Sequence, residues 1–156
     1  VILSKYPFIE TEMIALDYFF TARFVVAPPG MKPVNIYALH TIPPIGPMRD
    51  TMLRQTNAHI ARNTQMTENV ILIGDLNLTP YAPIFKETLE DSRLNYAQPY
   101  PVAVPTWPSV FLLPIFQIPI DHILFSDSLT PTNKHVGPAM GSDHMPVVMR
   151  FEEVQF

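Results

Sequence analysis

The sequence predicts a mixed α/β (α+β) domain in which one β-sheet packs on another. Segments rich in β-branched and aromatic residues outnumber segments with helical periodicity, and the two kinds are mixed along the chain. The 156 residues suffice for one domain with its own core, but not for two of full size. Eighteen prolines, about twice the usual share, favour many loops and few long helices.

The first half of the chain is predicted to form three strand segments and one helix. Residues 1–4 are an apolar strand, and residues 8–26 are rich in strand-forming side chains. A Pro-Pro-Gly turn at 28–30 joins this segment to a strand at 32–40, so the two are expected to form a hairpin. Residues 48–63 place apolar side chains on one arc of a helical wheel, which predicts a helix.

The second half begins with a fully apolar strand at 70–73, of the type that is buried on both faces. Thr79 followed by proline predicts the start of a short helix that runs to about residue 89. Further strands are expected at 115–126, within 128–137 after a turn, and at 146–154.

Composition excludes several classes of protein. With 47% apolar and 15% charged residues, the chain is neither disordered nor a coiled coil. Charges or prolines interrupt every apolar run before membrane-spanning length, so no transmembrane segment is predicted. The absence of cysteine excludes disulfides, thiolate metal sites and a cysteine nucleophile. A net charge of −4 gives no sign of a broad basic surface for DNA.

Polar side chains occur at the ends of apolar strands, where a rigid element can direct them into a cleft. Each alone has an ordinary alternative, such as a capping histidine, a turn or a structural salt bridge. Together they supply oxygen ligands, a general base and an imidazole that a carboxylate can orient. Hard oxygen ligands favour Mg²⁺ or Mn²⁺, and a phosphate-ester hydrolase is the function that best fits. These side chains are His40, Asp75, Asn77, Asp121, Asp143 and His144.

The same clusters resemble the motifs of the endonuclease/exonuclease/phosphatase superfamily, in position and in order. The matching blocks are ILSKYP at 2–7, ALHT at 38–41, IGDLN at 73–77, TWP at 106–108, IDHIL at 120–124 and GSDHMPV at 141–147. They span nearly the whole chain. The resemblance implies a four-layer sandwich, in which two mixed β-sheets pack face to face and helices flank them.

The resemblance also implies roles for individual residues. Asp75 would orient or deprotonate the attacking water, and Asn77 would hold that water or the phosphate. His144 would contact the phosphate or transfer a proton, while Asp121 would fix its tautomer and raise its basicity. His40 would donate to a non-bridging phosphate oxygen, where negative charge grows in the transition state.

Two further residues receive roles from the resemblance. Asp143, with Asp75, would lie at the metal, and Trp107 would join His40 and Asn77 on the substrate side of the cleft. For Trp107, packing in the core is the alternative. The substrate would be a phosphodiester or a phosphomonoester, and nucleic acid, phospholipid and sugar phosphate all stay open.

The chain also departs from the family pattern. The family's Asn and metal-binding Glu would precede the block at 2–7, and none of Glu10, Glu12 or Glu68 has the matching context. Residues 1–156 are therefore interpreted as a single domain, the C-terminal portion of the family's domain without its first strands. We expect this chain alone to be weakly active or inactive, with an open sheet edge that favours a homo-oligomer. An upstream membrane anchor and the compartment are left open.

A different class of function is the alternative. The fold would be kept without catalysis, as a module that binds a phosphorylated ligand or a partner. The complete set of acidic, amide and imidazole groups argues against it, because binding alone does not need the whole set.

Overall fold

The structure is a computed structural model, and it describes residues 1–16, 20–43, 46–65, 68–97, 104–109 and 116–154. Within these residues the chain forms eight strands and two helices. In chain order they are β1 (Phe8–Ala15), β2 (Phe20–Val26), β3 (Val34–Ala38), α1 (Met48–Asn63), β4 (Asn69–Asp75), α2 (Pro83–Ser92), β5 (Asn95–Tyr96), β6 (Asp121–Phe125), β7 (Leu129–Val136) and β8 (Val147–Glu153).

The strands form two sheets. Six strands lie in the order β1-β2-β3-β4-β6-β5, and β7 pairs with β8 in a second, two-stranded sheet. The β3–β4 pair is parallel because α1 crosses between the two strands, and the other neighbours are antiparallel. The predicted mixed α/β class is confirmed, as are the hairpin of β2 with β3 and the helix at 48–63.

Both helices contribute to the main core, on one face of the six-stranded sheet. Alternate residues of the central strands, such as Tyr37, Leu72 and Leu124, are fully buried in the same cluster as Leu53 of α1 and Phe85 of α2. This alternation follows from the two-residue period of a strand, which sends every second side chain to the helices. The ends of β3, β4 and β6 are thereby anchored on a rigid layer.

The two-stranded sheet lies on the opposite face, near β6 and the start of β4. The rings of Phe125 and Phe151 lie 5.3 Å apart between centroids. The side-chain amide of Asn69 donates to the Glu153 carboxylate at 3.1 Å. Ile71 and Ile73 of β4 are only half-buried on this face, so the prediction that β4 is buried on both faces is only partly right.

Three local predictions were wrong. Residues 1–4 are exposed and form no strand. Helix α2 begins at Pro83 rather than at Thr79, because the Thr79 carbonyl accepts the N–H of Ala82 in a turn at 3.1 Å and proline then takes a first-turn position of the helix. In the predicted strand 115–126, residues 116–120 are not in a strand, and β6 begins at Asp121.

In the part of the chain that the structure describes, β1 and β5 are the edge strands of the large sheet. Strand β1 carries Glu10 and Glu12, and both pair with Arg23 of β2, at 2.9 and 3.6 Å. Charges on an edge strand discourage pairing with another chain. Oligomerisation through a sheet edge therefore stays a prediction. None of the helices among the described residues has the length and apolarity needed to cross a membrane.

Candidate active site

The topology brings the predicted polar side chains to one edge of the large sheet. Because β3 and β4 are parallel, their carboxyl ends, which precede His40 and carry Asp75, lie at the same edge. Strand β6 runs antiparallel to β4, so its first residue, Asp121, pairs directly with Asp75. The loop before β8 then brings His144 to this edge.

Asp121 and His144 form the closest pair of the site. The Nδ1–H of His144 donates to Oδ2 of Asp121 at 2.8 Å, which fixes the tautomer and leaves Nε2 facing Oδ2 of Asp75 at 3.9 Å. Burial lowers the pKa of His144, but the hydrogen bond to Asp121 and the charges of Asp121, Asp75 and Asp143 outweigh it, so the net pKa is raised. The protonated imidazole is therefore more stable here than in a free histidine.

Asp75 is held by the turn that follows β4. Its Oδ1 accepts the main-chain N–H of Asn77 at 2.8 Å, and Oδ2 accepts from the Asn77 amide at 3.3 Å. That amide also donates to the Thr41 carbonyl at 2.7 Å, which ties the end of β4 to the segment after β3. Burial raises the pKa of Asp75, and the hydrogen bond from Asn77 only partly offsets it.

The turn depends on two unusual backbone conformations. Gly74 has φ of 146°, and a Cβ at this position would lie 1.8 Å from the carbonyl oxygen of Leu39. Asn77 has φ of 47°, in the left-handed region that asparagine tolerates better than most residues. Arg49 donates to the Asn77 carbonyl at 3.1 Å. Sequence analysis missed Arg49, because it lies on a helix far from any motif.

His40 lies at the open side of the site. Its Nε2 is 3.6 Å from Oδ2 of Asp75, and its side chain is 78% exposed, so the ring is free to turn toward a bound ligand. The structure thus brings together His40, Asp75, Asn77, Asp121 and His144, whereas their membership of a catalytic site and their chemical roles stay predictions.

Trp107 and Asp143 contact each other beside this group. Trp107 Nε1 donates to Asp143 Oδ2 at 3.3 Å, and the indole lies 6.5 Å from the His144 ring between centroids. Trp107 is 36% exposed, so the alternative of core packing for this residue is wrong. A groove of about 410 Å³ opens next to the Asp121–His144 pair, with an apolar lining that includes Ile73 and Ile123.

A metal site was sought among the acidic and imidazole side chains that the structure describes. No group of three or more His, Cys, Asp or Glu side chains is arranged to hold an ion within the described ranges. Asp75 and Asp121 are engaged by Asn77 and His144, and Asp143 accepts from Trp107. The oxygen donors have the chemistry that Mg²⁺ prefers, but those present do not complete a coordination shell.

His122 follows Asp121 in β6 and points to the opposite face of the sheet, as the two-residue period of a strand requires. Its ring lies in the core, and its Nε2–H donates to the Leu78 carbonyl at 2.7 Å. It takes no part in the site.

Comparison with known proteins adds the following findings. The model of the Endonuclease/Exonuclease/phosphatase family matches residues 1–144. A comparison with curated protein sequences gives no match. An endonuclease/exonuclease/phosphatase structure from Beutenbergia cavernae aligns over 96% of this chain and 46% of its own, with a TM-score of 0.78 and 20% identity.

Two further solved structures share the fold. The human Nocturnin catalytic domain with bound sulfate anion aligns over 96% of this chain and 60% of its own, with a TM-score of 0.71 and 18% identity. A mutant beta toxin from Staphylococcus aureus with bound magnesium ions aligns over 81% of this chain and 56% of its own, with a TM-score of 0.56 and 19% identity. The chain thus spans between 46% and 60% of the length of these three structures.

Proposed function

Because the chain belongs to the endonuclease/exonuclease/phosphatase family, we propose that it contributes the catalytic groups of a phosphoric ester hydrolase that uses activated water. The observation that carries the proposal is the hydrogen-bonded Asp121–His144 pair, with Nε2 of the histidine directed toward Asp75. A partly buried imidazole between two carboxylates is suited to proton transfer. The substrate is a phosphodiester or a phosphomonoester.

His144 and Asp121 act together in this proposal. Asp121 holds Nδ1–H, so only Nε2 of His144 exchanges a proton with the substrate or with water. In its protonated form, Nε2–H donates to the phosphate or to the departing oxygen. Asp121 is the positioning residue of the pair, as in other sites where a carboxylate orients an imidazole.

Asp75 and Asn77 bind and orient the attacking water. The carboxylate of Asp75 accepts a hydrogen from the attacking water and orients its lone pair toward phosphorus. Both N–H groups of the Asn77 amide are directed to Thr41 and Asp75, which leaves Oδ1 as an acceptor. An acceptor suits a water molecule better than an anionic phosphate, so we assign Asn77 to the water. His40 and Trp107 contact the substrate from the open side.

A requirement for Mg²⁺ or Mn²⁺ is part of the proposal. Its support is the oxygen chemistry of Asp75 and Asp143, together with the fold shared with a beta toxin that has bound magnesium ions. Since the described residues do not complete a metal site, we expect this chain alone to be weakly active or inactive. The divalent ion would supply charge stabilisation at the phosphate.

The test is hydrolysis of an aryl phosphodiester and an aryl phosphomonoester with Mg²⁺, with Mn²⁺ and with EDTA. It compares this chain with a longer polypeptide that extends it at the N-terminus. His144→Ala and Asp75→Asn should each abolish metal-dependent turnover, while His135→Ala, which removes an exposed histidine of β7, should leave it intact.

The outcomes separate the proposal from its alternative. Turnover that is lost with EDTA and with His144→Ala supports the hydrolase. A non-catalytic phosphate-binding module would be favoured by a different result. In that case this chain and the extended polypeptide would both be folded and bind inorganic phosphate without turnover, and the binding would survive Asp75→Asn. Activity that survives His144→Ala would overturn the assigned roles.

A further inference from the structure

Two segments that are far apart in sequence are joined beside the site. The 106–109 segment and the 142–145 loop are connected by two main-chain hydrogen bonds and two side-chain hydrogen bonds. The bonds run from Ser109 N–H to Asp143 O (2.7 Å), from Met145 N–H to Thr106 O (2.8 Å), from Ser109 Oγ–H to Ser142 O, and from Trp107 Nε1–H to Asp143 Oδ2 (3.3 Å). They bracket His144 on both sides in sequence.

The same segment also holds the start of β6. Oγ1 of Thr106 accepts the main-chain N–H groups of Ile120 and Asp121, each at 3.2 Å. The main-chain N–H groups of Thr106 and Trp107 donate to the Ile118 carbonyl at 3.0 Å. Thr106 is 1% exposed, so water does not compete for these bonds.

Thr106 therefore contacts both halves of the Asp121–His144 pair. Its hydroxyl fixes the backbone of Asp121, and its carbonyl fixes the residue that follows His144. The 2.8 Å bond between Asp121 and His144 requires both backbones to stay in place.

We infer that Thr106 is a positioning residue, which sets the tautomer and the direction of the His144 imidazole by holding Asp121 and the 142–145 loop together. The catalytic consequence rests on the proposed hydrolase function, whereas the positioning itself does not. Thr106 belongs to the TWP block at 106–108, but the resemblance assigned a role only to its neighbour Trp107.

The test compares Thr106→Val, which keeps the shape and removes the acceptor, with Thr106→Ser, which keeps the hydroxyl. Ring ¹⁵N chemical shifts report the tautomer of His144 in this chain at a pH where the imidazole is neutral. Thr106→Val should reduce the Nδ1–H tautomer, and Thr106→Ser should restore it. Thr88→Val is the matched control, because Thr88 is equally buried and its hydroxyl has no partner among the described residues.

The kinetic measurement uses whichever of the two polypeptides, this chain or its N-terminal extension, hydrolyses the aryl phosphate esters. Thr106→Val should lower kcat by about 10- to 100-fold, the range that misplacing a catalytic group causes. KM should change less than kcat, because the substrate contacts of His40 and Trp107 are kept. Thr106→Ser should recover most of kcat.

A folded Thr106→Val protein with the wild-type tautomer would overturn the inference. If that variant does not fold, Thr106→Ala, which also removes the hydroxyl that accepts the Asp121 N–H, takes its place and should shift the tautomer in the same direction. An unchanged tautomer in this variant would also overturn it. If neither this chain nor the N-terminally extended polypeptide hydrolyses either ester, the proposed function fails, and the tautomer measurement still decides the role of Thr106.

Discussion

His122 should make this protein sensitive to acid. Its ring is 1% exposed and packs against the rings of Phe85 and Tyr96, at 4.9 and 5.5 Å between centroids. Burial is the main cause that lowers the pKa of His122 to about 4, and the charge of Lys134 acts in the same direction. The hydrogen bond to the Leu78 carbonyl and the charge of Asp121 oppose this only in part.

The sign of the effect follows from proton binding. Below the ordinary pKa of 6.5 the unfolded chain binds a proton at His122, whereas the folded protein does not do so until about pH 4. Stability is therefore complete above pH 6.5 and falls as the pH decreases, until it levels off below about 4. This difference between the pKa of His122 in the unfolded and folded states lowers the free energy of unfolding by about 2 kcal/mol at pH 5. The loss reaches about 3 kcal/mol below pH 4.

The assay is urea unfolding at pH 7 and pH 5 for the wild type and for His122→Gln, whose amide can still donate to the Leu78 carbonyl. Between the two pH values the wild type should lose about 2 kcal/mol more than the variant. The raised pKa values of Asp75 and His144 act in the opposite direction, but they act in both proteins and cancel in the difference. His135→Gln, which removes an exposed histidine, controls for the substitution.

Equal losses in the wild type and in His122→Gln would refute this reasoning. An NMR titration of the His122 ring gives an independent check. A midpoint near 6.5 in the folded protein would show that the ring is not held neutral by burial.

Three further changes have defined outcomes. Gly74→Ala should lower the free energy of unfolding by about 3 kcal/mol or more, measured in urea, because the new Cβ collides with the Leu39 carbonyl and φ is positive. Arg49→Met should lower kcat about tenfold with little change in melting temperature, because it releases the Asn77 carbonyl. Ser126→Ala should cost about 1–3 kcal/mol of unfolding free energy, because a buried main-chain N–H of β4 loses its acceptor.

The sequence was most informative where one pattern had one physical meaning. Apolar periodicity predicted α1 with its observed ends, since a 16-residue amphipathic segment has few other stable arrangements. The predicted start of α2 was wrong, because Thr79 and Ala82 both precede a proline and only the turn between them decides which proline begins the helix. Residues 1–4 are apolar but exposed, so composition alone misled there.

The candidate site also has features that could be predicted from the sequence and others that could not. The polar side chains at the ends of predicted strands could be assigned to one site from the sequence, because a rigid strand can direct the side chain at its end into a cleft. Their pairing could not be derived from composition or periodicity, because it depends on the register of β4 with β6. The contacts of Arg49 and Thr106 were beyond sequence reasoning, because a long-range hydrogen bond to a main-chain group leaves no pattern in the sequence, although Thr106 lies in the TWP block.

Asp121 and His122 show how the register decides the chemistry. Asp121 pairs with Asp75 and turns to the site, whereas His122 pairs with Gly74 and turns to the core. A shift of one residue would exchange the two faces, placing an unpaired carboxylate in the core at a cost of several kcal/mol. The core histidine and the small glycine opposite it therefore do more than fill space. They hold β6 in the one register that brings Asp121 to the site.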